Sequence, residues 1–228
     1  MPNENFGHDY RMKLMQFLQN PDVVVRVSDR INDMTRRDFR EIKKVLKVLQ
    51  TRYGINVARN EVIIGPAILP NQQEAFYLVT DRIHGLSLDR KIYKPEEKEE
   101  AKQMLHTLYL GIAGYLWDVF LEGGEYIDDI TFSNEQFVYG RRKNDTKDAI
   151  WFTDIGPQLM VVDPRSGDIL SCLTKLFEMI KQSESYLGEQ FTETKEAIFT
   201  LLGNMPQDDQ DYWKVLATRR ELGDKKGT

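Results

Sequence analysis

The sequence predicts an α+β protein of two lobes: a small antiparallel-sheet lobe over residues 1–84 and a mostly helical lobe over residues 85–228. Three observations predict it. Runs rich in β-branched and aromatic residues recur before residue 80, as VVVRV at 23–27, VARNEVIIG at 57–65 and AFYLVT at 75–80. A single amphipathic helix pattern stands between the first two. After residue 95 the periodicity is almost wholly helical.

In order, residues 10–19 (YRMKLMQFLQ) read as a short helix that Asn20 and Pro21 stop. Val23 to Val27 is near-continuously apolar and reads as a strand. Asp33 or Thr35 opens the amphipathic helix, with Phe39, Ile42, Leu46 and Leu49 at helical spacing. Arg36, Arg40, Lys43, Lys44 and Lys47 cover its other side, and Gly54 sits where a C-terminal cap belongs. Residues 57–65 and 75–80 are two more strands, joined through Pro66, Pro70 and Asn71.

Residues 95–102 (PEEKEEAK) begin a helix with acids where the macrodipole favours them. It continues through an apolar stretch to Leu121, and Gly123 and Gly124 end it. Two short strands, 136–139 and 149–153, flank a polar hairpin tip, GRRKNDTKD. Residues 170–182, 189–203 and 210–222 read as helices, and GDKKGT is a frayed end.

Composition narrows the function classes. The chain has 228 residues, 41% hydrophobic and 29% charged with both signs interspersed, which suits a folded core and not a disordered chain. A lone cysteine, Cys172, leaves no internal disulfide and no Cys-rich zinc site. His8, His84 and His106 are scattered. A net charge of −5 disfavours bulk nucleic-acid or anionic-membrane binding. The start is polar and unlike a signal segment, and polar residues interrupt the longest apolar run, so a cytoplasmic protein without a membrane span is expected.

Chemistry concentrates around the second hairpin. Asp129 is followed five residues later by Asn134, in DITFSN, and Asp154 comes directly after the next strand, in WFTDIGP. Two carboxylates and an amide placed so can converge at one end of a hairpin. Oxygen ligands of that kind suit Mg²⁺. A carboxylate left unligated can orient a hydroxyl and accept its proton. Asp and Asn also serve plain turn chemistry at such places.

These motifs resemble the protein kinases. DITFSN has the D-x-x-x-x-N spacing of their catalytic loop, and DIG stands where they carry D-F-G. VVVRV looks like the third strand of a kinase small lobe, the helix with Glu41 like that lobe's helix, and AFYLVTDRIHGLSLD like the fifth strand and hinge. DIGP without a long activation segment is closest to the atypical group of aminoglycoside phosphotransferases, lipopolysaccharide kinases and RIO-type kinases. The resemblance spans residues 22–160.

It implies a two-lobed kinase-like fold with ATP and Mg²⁺ as cofactors. Asp129 would be the catalytic base, and Asn134 and Asp154 would hold the metal. Asp81 and Ile83 would offer backbone groups to adenine, and Arg26 and Glu41 would stand for the phosphate-pairing lysine and its partner. The implied activity is phosphoryl transfer to a hydroxyl, a small molecule sooner than a protein. Several residues depart from the family. No glycine-rich loop precedes Arg26, arginine replaces lysine, and Ile127 and Asp128 stand where histidine and arginine belong. The alternative is therefore a pseudokinase, a nucleotide-binding or protein-interaction scaffold without catalysis. The basic stripe on the first long helix reads as a solvated face, and His106, Tyr109, Leu116, Trp117 and Phe120 as core.

Overall fold

The computed structural model describes residues 15–28, 33–58, 60–65, 75–122, 126–131, 133–153, 160–161 and 166–204. Residues 15–19 are helical, and β1 follows at Val23–Ser28. Then come α1 at Asp33–Arg52, β2 at Asn56–Val57, β3 at Asn60–Gly65, β4 at Ala75–Asp81 and β5 at His84–Ser87. A 3₁₀ turn at Pro95–Glu97 leads into α2 at Lys98–Glu122. Next are β6 at Tyr126–Ile127, 3₁₀ turns at Asp128–Thr131 and Asn134–Gln136, β7 at Phe137–Arg141, β8 at Ala149–Phe152 and β9 at Met160–Val161. Two helices follow, α3 at Ser166–Leu187 and α4 at Thr192–Leu201. The architecture is α+β, and the expected helix over 210–222 lies outside the described residues.

The strands form three groups. One sheet is antiparallel in the order β1-β4-β3, a second runs β2-β8-β7-β5, and β6 pairs with β9. The stretch read as one strand over 57–65 divides in two. Asn56 and Val57 pair parallel with Trp151 and Phe152 of β8, while residues 60–65 pair with β4. Ile55, Val57 and Ala58 are buried, so the chain leaving α1 is drawn onto the second sheet before it turns back to the first. The β7–β8 hairpin forms as the sequence predicts. Its tip is held by Arg142, which forks onto Asp145 at 2.9 Å through both Nε and a terminal nitrogen and stacks 4.8 Å over the Trp151 ring.

The large core gathers on α2. Leu105, Tyr109, Ile112, Ala113 and Leu116 are fully buried against Leu173, Leu176 and Ile180 of α3 and Ile198 of α4. Pro95–Glu122 is long and apolar enough by composition to cross a membrane, yet 56% of that window is buried inside this protein. Gly54, at φ +67°, ends α1 in the left-handed conformation that a C-terminal cap asks for. Gly111 of α2 lets the loop after α1 approach closely, because a Cβ there would run into the Tyr53 carbonyl. Tyr53 donates its hydroxyl to Asp118, and Arg52 pairs with the same carboxylate at 2.8 Å. The end of α1 is thus fastened to the core helix. A much smaller apolar cluster, Ile63, Tyr77 and Val79 with Phe17, Val23 and Val25 against it, covers one face of the first sheet.

Candidate functional site

The 3₁₀ turn that starts at Asn134 is set by Ser133, whose Oγ accepts the Glu135 N–H at 3.2 Å. The turn points the Asn134 carboxamide inward. Asn134 is 0% exposed. Its Nδ2 donates to the Met179 carbonyl at 3.0 Å and to Gln182 Oε1 at 3.2 Å. Its Oδ1 accepts from the Tyr109 hydroxyl at 3.3 Å, and that hydroxyl is also 2.6 Å from Ser183 Oγ. The Met179 carbonyl fixes the orientation of the amide, since only the NH₂ end can face an acceptor. Burial pushes the Tyr109 phenol well above the ordinary tyrosine range, and its bonds to Ser183 and Asn134 offset only part of that rise. The residue read as a metal ligand therefore sits in a polar network between α2 and α3, itself fully buried.

The other candidates distribute as follows. Asp129 is in the 3₁₀ turn directly after β6. Asp154 lies outside the described residues. The Thr153 N–H donates to the Gln136 carbonyl at 3.0 Å, and Met160 pairs with Ile127. Arg26 occupies β1 opposite Leu78, and Glu41 lies within α1. Asp81 ends β4, and Asp81 and Ile83 are half-buried at the bend into β5. Between them the Arg82 N–H donates to the Asp22 carbonyl at 2.8 Å. A cavity of about 510 Å³ borders this bend, walled by Asp22, Asp81, Arg82, Arg142, Lys143 and Asp145.

Among the described residues, no group of three or more His, Cys, Asp or Glu side chains is placed to hold a metal ion. The donor set implied for Mg²⁺ also fits poorly at Asn134, whose buried carboxamide oxygen already accepts from the Tyr109 hydroxyl. Two further polar atoms near this turn are buried and unpaired, Thr131 Oγ1 and Gln136 Oε1. Gln182 and Ser183 belong to no motif in the sequence, Thr131 fills a variable position of DITFSN, and Tyr109 falls at plain core spacing there. The signal for the first two was the polar run QSES inside the helix that follows residue 170. The sequence does not show what that run faces.

No protein-family model matches this chain, and no curated protein matches it.

Proposed function

We propose that this chain is a protein-kinase-like domain that acts as an interaction scaffold and does not transfer phosphate. The observation that carries this reading is the Asn134 carboxamide, fully buried and bonded to Tyr109, Met179 and Gln182. Phosphoryl transfer depends on positioning and on metal and cationic charge around the phosphates. A buried amide whose oxygen is already held by the Tyr109 hydroxyl is a poor metal ligand.

The kinase-like part of the reading rests on chain order. β1, which carries Arg26, lies beside β4, and β4 runs into the Asp81–Ile83 bend. The helix with Glu41 follows β1, and the β6–β9 pair ties the flank of Asp129 to the flank of Asp154. The missing glycine loop and the arginine at position 26 favour the scaffold over the phosphotransferase.

Calorimetric titration of the full chain with ATP, with and without Mg²⁺, tests it alongside an ATP-turnover assay. The expected result is no Mg²⁺-dependent heat and no turnover above the blank. Turnover that disappears in Asp129→Asn would overturn the proposal in favour of the phosphotransferase.

A further inference from the structure

The whole-chain charge of −5 conceals a separation. α1, DMTRRDFREIKKVLKVLQTR, carries seven Lys and Arg against three Asp and Glu. Its 20 residues hold a net +4, so the rest of the chain holds −9.

The cations are also ordered around the helix. Arg36, Arg40, Lys43 and Lys47 stand at i, i+4, i+7 and i+11 and form one row along α1. At about 1.5 Å of rise per residue the row is roughly 16 Å long. Arg37 and Lys44 take the positions beside it. Asp38 and Glu41 fall about 180° and 120° round the helix from the row, so neither stands within it. The other side of α1 is fixed on the body of the protein, where Leu46 and Leu49 are buried in the large core. Lys43 and Lys47 are exposed, and among the described residues neither has a salt-bridge partner.

We propose that this face of α1 docks on double-stranded DNA through its phosphates, without reading the base sequence. The argument is charge complementarity. A duplex carries one negative charge per roughly 1.7 Å of axis, so about nine lie along the length of the row. An acidic polypeptide offers charge without that regular pitch. Single strands are held by stacking bases on aromatic rings. Phe39, the one aromatic residue of α1, stands at i−7 from Leu46, on the apolar side. A helix about 10–12 Å across matches the B-form major groove, about 12 Å wide, and not the deep, narrow groove of duplex RNA. A bilayer surface takes an amphipathic helix by its apolar face, and Leu46 and Leu49 have already buried theirs. The negative remainder of the chain repels a polyanion, which leaves α1 as the side that meets it. This inference does not depend on the proposed function.

Fluorescence anisotropy of a short, labelled duplex of mixed sequence, titrated with the full chain at rising NaCl, tests it. Each phosphate contact contributes about −0.9 to the slope of log affinity against log salt. Four contacts give about −3.6, a roughly 150-fold loss between about 50 and 200 mM salt. Lys43→Gln combined with Lys47→Gln should bring the slope to about −1.8 and the loss to roughly 12-fold. Arg90→Gln combined with Lys147→Gln removes two exposed charges elsewhere and should leave the slope unchanged. Circular dichroism checks that both variants keep their fold. Absence of binding at about 50 mM salt overturns the proposal, and so does an unchanged slope in the Lys43 and Lys47 variant. Binding of duplex RNA, the single strand, poly-glutamate or phosphatidylserine vesicles as tight as that of duplex DNA overturns it too.

Discussion

At residue 134 the same asparagine supports two readings that differ only in what surrounds it. The spacing D-x-x-x-x-N points to a ligand of a metal, since spacing records the chain and not its neighbours. The neighbours that favour a structural role are 25, 45 and 48 residues away, at Tyr109, Met179 and Gln182. A hydrogen bond between uncharged groups contributes only about 1 kcal/mol net, but a buried partner left unpaired costs about 1–3 kcal/mol. The network therefore matters more through what its loss exposes than through its bonds. Tyr109→Phe, which keeps the ring and removes the hydroxyl, should destabilise by roughly 1–2 kcal/mol in urea unfolding, since Ser183 Oγ and Asn134 Oδ1 both lose a partner. An unchanged midpoint would show that the hydroxyl contributes nothing to the fold. The buried, unpaired Thr131 Oγ1 predicts the opposite sign. Thr131→Val should be neutral or mildly stabilising, because it removes an unmet polar atom without changing shape.

Among the elements, α2 shows most clearly what local patterns reveal and what they hide. Its acidic first turn and apolar body were readable, because propensity and periodicity are properties of adjacent residues. Hidden from them was the reason for Gly111, which is a contact with the loop after α1 across 58 residues. Gly111→Val should detach the Tyr53 loop and destabilise by about 2 kcal/mol, in the range of overpacking. Burial chiefly, and the bond to Asp118 after it, hold the Tyr53 phenol above its ordinary value, so detaching the loop should lower its titration toward normal. At the other end of the helix, Glu97 accepts the Lys94 N–H at 2.9 Å and pairs with Lys91 at 3.1 Å. The Lys94 N–H chiefly, and Lys91 after it, hold the Glu97 carboxyl below its ordinary value. A carboxylate depressed in the folded state contributes stability above its unfolded pKa and loses it as pH falls through the folded one. Glu97→Gln should therefore lower stability at neutral pH, with the deficit closing as pH falls through the folded-state pKa, so that the acid limb is shallower. An identical acid limb in both proteins would remove Glu97 from the account. The division of residues 57–65 between two sheets was illegible for a related reason. Both halves are apolar enough for a strand, and only the partners on β8 and β4 separate them.

For the molecule as a whole, the α+β class and the positions of the long elements follow from composition and periodicity. The sheet order, the β6–β9 pair and the fate of Asn134 are set by contacts distant in sequence and could not be read there. The density of buried phenols has a whole-molecule consequence. Burial raises Tyr93, Tyr109 and Tyr115 well above the ordinary tyrosine range. An acid whose folded pKa is raised binds its proton more tightly when folded, so stability falls as pH rises past the unfolded value of about 10. Alkaline unfolding should be cooperative, with the phenolate absorbance that Tyr→Phe variants assign to these three rings rising together with the loss of helix signal. Ionisation of these three well before the helix signal falls would place them at the surface. The central claim, that the asparagine amide is part of the core and does not serve a metal, is tested most directly by melting the wild type and Asn134→Ala side by side, each with and without Mg²⁺ and ATP. The account predicts that the variant melts lower with no ligand present, by roughly 5 °C or more for a loss of about 2–3 kcal/mol, and that Mg²⁺ with ATP shifts neither protein. An unliganded variant as stable as the wild type, together with a Mg²⁺-dependent stabilisation by ATP that only the wild type shows, would contradict it.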